Sequence, residues 1–143
     1  MDTIYVIYWS QTGNTQAMAE AIGKGIESEG KKAAVSFVGE VPVEELKKAN
    51  VFALGCPAMG AEVLEEAEME PFVCEVEGFA PGKKIALFGS YGWGDGEWMS
   101  DWVDRMSSAG ATVVNGEGLM CHEMPDEDTL AECEALGKQL ATM

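Results

Sequence analysis

Apolar residues along this chain fall into two alternating patterns, short unbroken runs and longer stretches spaced by three and four, and that alternation predicts the fold. The runs Ile4 to Trp9, Ala33 to Val38, Val51 to Cys56 and Lys84 to Gly89 read as strands buried on both faces. Thr112 to Val114 and Gly118 to Cys121 read as a fifth strand, interrupted at Asn115 to Glu117. Between the runs the period changes. From Asn14, the residues Ala17, Met18, Ala21, Ile22 and Ile26 mark one helical face, with Gly30 as the stop. After Pro42, Val43 to Ala49 makes a short helix with Glu44 and Glu45 near its start and Lys47 and Lys48 near its end, as the helix dipole favours. Pro71 suits the first turn of a helix reaching about Gly78. Trp98, Trp102, Val103 and Met106 form a stripe that ends at Gly110, and Asp126 opens a last helix with Leu130, Cys133, Leu136 and Leu140 on one face.

Strands alternating with helices over 143 residues predict one α/β domain spanning residues 1–143, a doubly wound parallel sheet of five strands with helices on both faces and right-handed crossovers. Linkers, repeats and low-complexity segments do not interrupt the pattern. In such sheets a ligand sits beyond the carboxyl ends of the strands, where the strand order reverses. The loops after strands one, three and four should therefore converge.

The first of these, W-S-Q-T-G-N-T-Q-A from Trp9 to Ala17, leads from a strand into a helix start. Ser10, Thr12, Asn14 and Thr15 supply hydroxyls and an amide, Gly13 permits a left-handed turn, and free N–H groups of the helix start point to the same spot. Without the G-K-[ST] of a triphosphate loop, a single phosphate held by neutral donors is the candidate ligand. A plain helix cap is the competing reading of the same residues. The second loop runs through Pro57, Ala58, Met59, Gly60, Ala61 and Glu62 into an acidic, irregular stretch containing Glu65, Glu66, Glu68 and Glu70. It offers polarizable Met59, a Gly60 peptide free to turn over, and Glu62 as an acceptor for a ring N–H. The third, S-Y-G-W-G-D-G-E-W from Ser90 to Trp98, offers glycine N–H groups at Gly92 and Gly94 and the rings of Tyr91 or Trp93 for stacking. A phosphate joined by a flexible spacer to a flat, amide-bearing heterocycle fits all three loops, and flavin mononucleotide (FMN) is such a molecule. Taken singly, Trp93 reads equally as a surface aromatic, Met59 as packing and Glu62 as one of many solvated acids. Trp9, Trp98 and Trp102 read as core.

Charge narrows the partners. With 25 Asp+Glu against 9 Lys+Arg, the formal net charge is −16, which disfavours nucleic acid and anionic membrane surfaces and favours a basic patch on another protein. Cys56, Cys74, Cys121 and Cys133 lack metal-ligand spacing and read as small buried thiols in a reducing cytosol. His122, the one histidine, reads as surface or edge packing. Neither a signal pattern nor an apolar run of membrane-spanning length is present, so a cytoplasmic location is expected. A phosphoacceptor receiver domain, which shares the sheet order, would need acids after strand one and an Asp ending strand three, where this chain has Trp9-Ser10 and Gly55-Cys56-Pro57. An FMN enzyme would need an acid–base group over the ring. An unliganded binding module is the third alternative.

The segments Y-W-S-Q-T-G-N-T, G-C-P-A-M-G followed by E-V-L-E-E, and L-F-G-S-Y-G-W-G-D-G-E-W-M together resemble the flavodoxins, specifically the short-chain type, over essentially the whole chain. The resemblance implies sheet order 2-1-3-4-5 and non-covalent FMN. By match, Ser10, Gln11, Thr12, Gly13, Asn14 and Thr15 would hold the phosphate, and Pro57, Ala58, Met59 and Gly60 would form the turn, with Met59 on the inner ring face. Glu62 would bond the ring N3–H, Trp93 would cover the outer face, and Ser90, Tyr91, Gly92 and Gly94 would meet the ribityl chain and pyrimidine edge. Ala61 stands where close relatives often carry Asp or another polar residue.

The resemblance further implies an electron carrier without substrate turnover, shuttling between semiquinone and hydroquinone and standing in for ferredoxin. On one-electron reduction the Gly60 carbonyl would turn to accept from the new N5–H. Its partners would be ferredoxin-utilising oxidoreductases with basic docking surfaces, and the carrier itself a monomer. Glu62, Glu65, Glu66, Asp95 and Glu97 lie in the second and third loops, and all three loops lack Lys and Arg. One like charge ~8 Å away costs on the order of 2 kcal/mol at an effective dielectric of about 20, so the last electron should enter at low potential.

Overall fold

The structure is a computed structural model describing residues 3–60, 63–92 and 94–143. Six strands, β1 (Thr3–Tyr8), β2 (Lys32–Phe37), β3 (Val51–Gly55), β4 (Lys84–Tyr91), β5 (Thr112–Val113) and β6 (Leu119–His122), form one parallel sheet. Its order is β2-β1-β3-β4-β5, with β6 also pairing with β4. The helices are α1 (Asn14–Ser28), α2 (Val43–Lys48), α3 (Met69–Glu77), α4 (Glu97–Ser108) and α5 (Glu127–Ala141). The fifth sheet position is thus shared by β5 and β6. Between them Val114–Gly116 makes a tight turn, with Asn115 at φ 65°, at the interruption expected from the sequence.

Strand residues alternate between two cores, as a sheet covered on both faces requires. Ile7, Phe52, Leu54, Ile85 and Leu87 point to α2, α3 and α4, where Leu46, Phe72, Val73, Trp98 and Trp102 complete the packing. Val6, Ala53, Ala86 and Phe88 point to Met18, Ile22 and Ile26 of α1 and Leu136 and Leu140 of α5. Small residues dominate the contact between α1 and α5. A Cβ built on Gly25 would strike the Glu134 carbonyl, and one on Gly137 the Ile22 carbonyl, so any side chain there forces the helices apart. On the other face Lys83 is buried, its Nζ donating to the carbonyls of Lys47 (2.8 Å) and Ala49 (2.5 Å) and so capping the end of α2. Burial lowers its pKa.

Several boundaries differ from those read in the sequence. β4 continues through Ser90 and Tyr91, loop residues by sequence pattern, because β6 supplies the pairing Ser90↔Cys121 and Tyr91↔His122. β2 spans Lys32–Phe37, and Val38–Glu40 is a 3₁₀ turn. α3 begins at Met69, leaving Pro71 in its first turn. Cys56, Cys121 and Cys133 are buried as expected, but Cys74, on the outer side of α3, is exposed.

Candidate cofactor site

At the carboxyl end of β1 the first loop is organised by the helix it starts. The Ser10 hydroxyl accepts the N–H of Gly13 (3.1 Å) and, at 3.4 Å, that of Gln16. Gly13 at φ 93° is the N-cap of α1, and its carbonyl takes the first intrahelical bond, from Ala17 N–H (2.9 Å). The N–H groups of Asn14 and Thr15 lie upstream of that first bond, with no carbonyl one turn back, and are left for an acceptor from outside. The first turn of α1 carries no acidic residue, so the positive end of the dipole is uncompensated. The two readings of this loop are therefore compatible: Ser10 caps the loop, and the capped loop presents donors. Thr15 is buried, with Oγ1 3.0 Å from Ser90 Oγ on β4. One hydroxyl proton is used between them, leaving the other for a ligand.

The second loop leaves β3 beside β4. Ala58 N–H donates to Ser90 O (3.0 Å), and Met59 and Val63 exchange N–H to O=C bonds of 2.9 Å each, an antiparallel pair that closes the turn between them. Gly60 sits in that turn at φ 48°, with nothing within 4 Å of where a Cβ would stand, so its requirement is conformational and not steric. Ala61 and Glu62 lie outside the described residues, and so does Trp93 of the third loop. The Tyr91 ring is already engaged, 5.6 Å from the Trp98 ring and 5.1 Å from His122. Trp98 and Trp102 are core residues, as expected, with Trp98 Nε1 donating to Cys56 O (3.1 Å).

These segments enclose a cleft of about 310 Å³. It is lined by Ser10, Gln11, Thr12, Asn14, Thr15, Pro57, Ala58, Met59, Ser90, Tyr91 and Gly92. Gly13 supports it from behind as the helix cap, while Gly60 and Gly94 stand exposed beside it and do not line it. Sequence reasoning missed Glu123, which also lines the cleft. Glu123 adopts φ 61°, and its N–H donates to Tyr91 O (2.7 Å), carrying the β4–β6 ladder into the rim. Its position just past the last strand end was the available signal. Lysine and arginine do not line the cleft among the described residues.

The acids divide into two groups. Glu66, Asp95 and Glu97 are exposed near the loops. Glu65 is different. It is buried, and its carboxylate accepts the N–H groups of Ala67 (2.9 Å), Glu68 (2.8 Å) and Met69 (2.9 Å) at the start of α3. Burial disfavours its ionised form, but the three N–H bonds outweigh that and hold its pKa below the ordinary value. Farther along α3, Glu70 and Glu77 grip Arg105 of α4 at 2.7–3.1 Å. Cys56, at the base of the second loop, has its thiol pushed up to about 12 by burial.

A doubly wound sheet whose strand ends carry a cleft lined by neutral hydrogen-bond donors defines the class: an α/β protein of the kind that takes a nucleotide at its strand ends. A cleft lined by hydroxyls, by the start of α1 and by the polarizable Met59 has the donor set for a phosphate linked to a flat ring system. The flavodoxin family profile matches residues 6–137. A flavodoxin of Clostridium beijerinckii is 48% identical over 138 residues, covering 96% of this chain and 99% of that one. The solution structure of two-electron reduced Megasphaera elsdenii flavodoxin superposes with a TM-score of 0.86 at 41% identity, covering 98% of this chain and 99% of that one. A flavodoxin from the domain Archaea superposes with a TM-score of 0.88 at 35% identity, covering 99% and 97%. The chain belongs to the flavodoxin family, as a short-chain member. It is an FMN-binding electron-transfer protein and not an enzyme.

Proposed function

We propose that this flavodoxin holds FMN in the cleft between its three loops and works as a low-potential one-electron carrier in the cytoplasm, monomeric, in place of ferredoxin. The observation that carries the site is the convergence of the loops at Ser10–Thr15, Pro57–Met59 and Ser90–Gly92 on one cleft with no cationic lining among the described residues. FMN supplies the redox chemistry, taking up and releasing electrons one at a time. Ser10, Thr12, Asn14 and Thr15, with the first N–H groups of α1, hold the phosphate. Ser90, Tyr91 and Gly92 line the route to the ring, with Gly94 meeting its pyrimidine edge by resemblance, and Met59 packs on its inner face. By resemblance, Glu62 accepts from the ring N3–H and Trp93 covers the outer face.

The acids around the site set the potential. An uncompensated phosphate and the exposed Glu66, Asp95 and Glu97 oppose the last negative charge, and Glu123 adds another carboxylate at the rim. The same acids would steer ferredoxin-utilising oxidoreductases that present basic surfaces, with electron-transfer rates falling as salt rises. A reductive titration giving both one-electron midpoints tests the reading. The second midpoint should lie well below the first, and Asp95→Asn with Glu66→Gln should raise it. An unchanged second midpoint in that double variant refutes the charge argument, and a protein that takes up no FMN refutes the site.

A further inference from the structure

The second loop is pinned on both shoulders, and the pin on its exit side is a carboxylate to which the reading above assigns no role. On the entry side, Ala58 is bonded to Ser90 and Met59 to Val63. On the exit side Leu64 is buried and Glu65 follows it inward. The Glu65 N–H donates to Cys56 Sγ (3.4 Å), whose own proton goes to Pro57 O (3.4 Å), so one sulfur joins both ends of the loop. The Glu65 carboxylate then receives three N–H groups from residues 67–69, and its carbonyl a fourth, from Glu70 (2.8 Å). This carboxylate at the start of α3 fastens the turn to a helix that Arg105 in turn holds against α4.

Resting on the FMN reading of the turn at Met59–Val63, we propose that Glu65 is a positioning residue for the redox reaction: by fixing the exit shoulder of the turn, its buried carboxylate sets the gap between the two one-electron potentials. It does not line the cleft, and acts through the backbone of Val63 and Leu64. A turn held in place pays its ordering cost at folding, so whichever oxidation state depends on the turn binds it without further loss. Releasing the shoulder charges that cost to the state lying between the two potentials. The first midpoint then falls and the second rises.

The sign separates positioning from charge. Removing a negative charge near the site by itself raises both midpoints, because both reductions add electrons to the same region. Glu65→Gln and Glu65→Ala, loaded with FMN, are to be titrated beside Glu66→Gln, the exposed neighbour, and Gly60→Ala. Glu65→Ala should lower the first midpoint by the equivalent of about tenfold, about 59 mV for a one-electron couple. Glu65→Gln, which keeps one acceptor oxygen, should lower it by less, and should speed amide exchange at Ala67, Glu68 and Met69. Glu66→Gln should raise both midpoints. If Glu65→Gln also raises both, or leaves them where they are, the positioning role is overturned. Should Glu65→Ala fail to fold, Glu65→Gln decides alone. If Gly60→Ala leaves the gap unchanged, the turn itself does not govern the potentials and the reading beneath the proposal falls. If Gly60→Ala moves the gap and the Glu65 variants do not, only the proposal falls.

Discussion

The loop at Ser10–Thr15 and the loop at Pro57–Glu65 stand side by side at the same sheet edge and are built in opposite ways. In the first, the capping bonds run from Ser10 to Gly13 and Gln16, and the exposed donors belong to the first turn of α1. Its shape follows from starting a helix. Among its described residues the second has no helix until Met69, and it is held by bonds to Ser90, to a cysteine at its base and to the start of α3. A rigid cradle suits a phosphate, whose charge and shape stay constant through the redox cycle. A turn with fixed shoulders and a glycine at φ 48° suits the part of the ligand that changes. The difference implies a division of labour: affinity from the first loop, potential from the second.

The largest expected effect tests the first half of that division. Thr15→Val removes a donor to an anion and leaves the buried Ser90 hydroxyl without its partner, for a loss of about 1.5–3 kcal/mol, or roughly tenfold to hundredfold in FMN affinity. Affinity for riboflavin, which lacks the phosphate, should change little, and so should both midpoints. A midpoint shift as large as the affinity loss would break the comparison.

Gly60→Ala should do the reverse. An L-residue held in the left-handed region costs about 1–2 kcal/mol, which here falls on one redox state relative to another and alters the gap between the potentials. The dissociation constant of oxidised FMN should stay within a few fold. Smaller again is Ser10→Ala in the protein without FMN. Losing the loop cap should cost about 1 kcal/mol and lower Tm by roughly 4 °C, which checks by thermal melting that the cradle is built before any ligand arrives.

The smallest effect belongs to Arg105→Gln, which should cost less than about 1 kcal/mol at pH 7 because the pair is partly exposed. Its pH dependence has a definite sign. The Arg105 hydrogen bond holds Glu70 below its ordinary value of 4.5, so this stabilisation is complete above about pH 4.5 and is lost as pH falls through the lowered folded value. Glu65, lowered by its N–H bonds, behaves in the same sense. Denaturant midpoints measured downward from pH 7 should therefore decline below about pH 4.5, and Arg105→Gln should make that decline shallower.

Much of the site was legible in advance because its chemistry is local. The S-Q-T-G-N-T loop, the Met59-Gly60 turn and the Ser90 to Gly92 edge are short segments whose residue types state what they offer, and Ser10, Thr12, Asn14, Thr15, Met59 and Ser90 among them line one cleft. Residues at the seams were not legible. Tyr91, a loop aromatic by its glycine-rich surroundings, is a strand residue whose ring packs on Trp98, because β6 pairs with the end of β4. Glu123 reached the rim only because that pairing ran on into a left-handed residue. Glu65 looked like one acid in a run of acids and is buried against α3.

By itself the sequence determined the order of strands and helices, the class of sheet and the three loops with their neutral donors and flanking acids. Period, turn residues and charge act over a few positions, so they are visible in one dimension. Tertiary structure alone decided which strand extends, which carboxylate turns inward and which side chain completes the rim. Those outcomes depend on hydrogen-bond partners that the chain brings together only on folding: Thr15 with Ser90, Tyr91 with Glu123, Arg105 with Glu70. A buried N–H or carboxylate must find such a partner, and nothing in the residues beside it says where the partner lies.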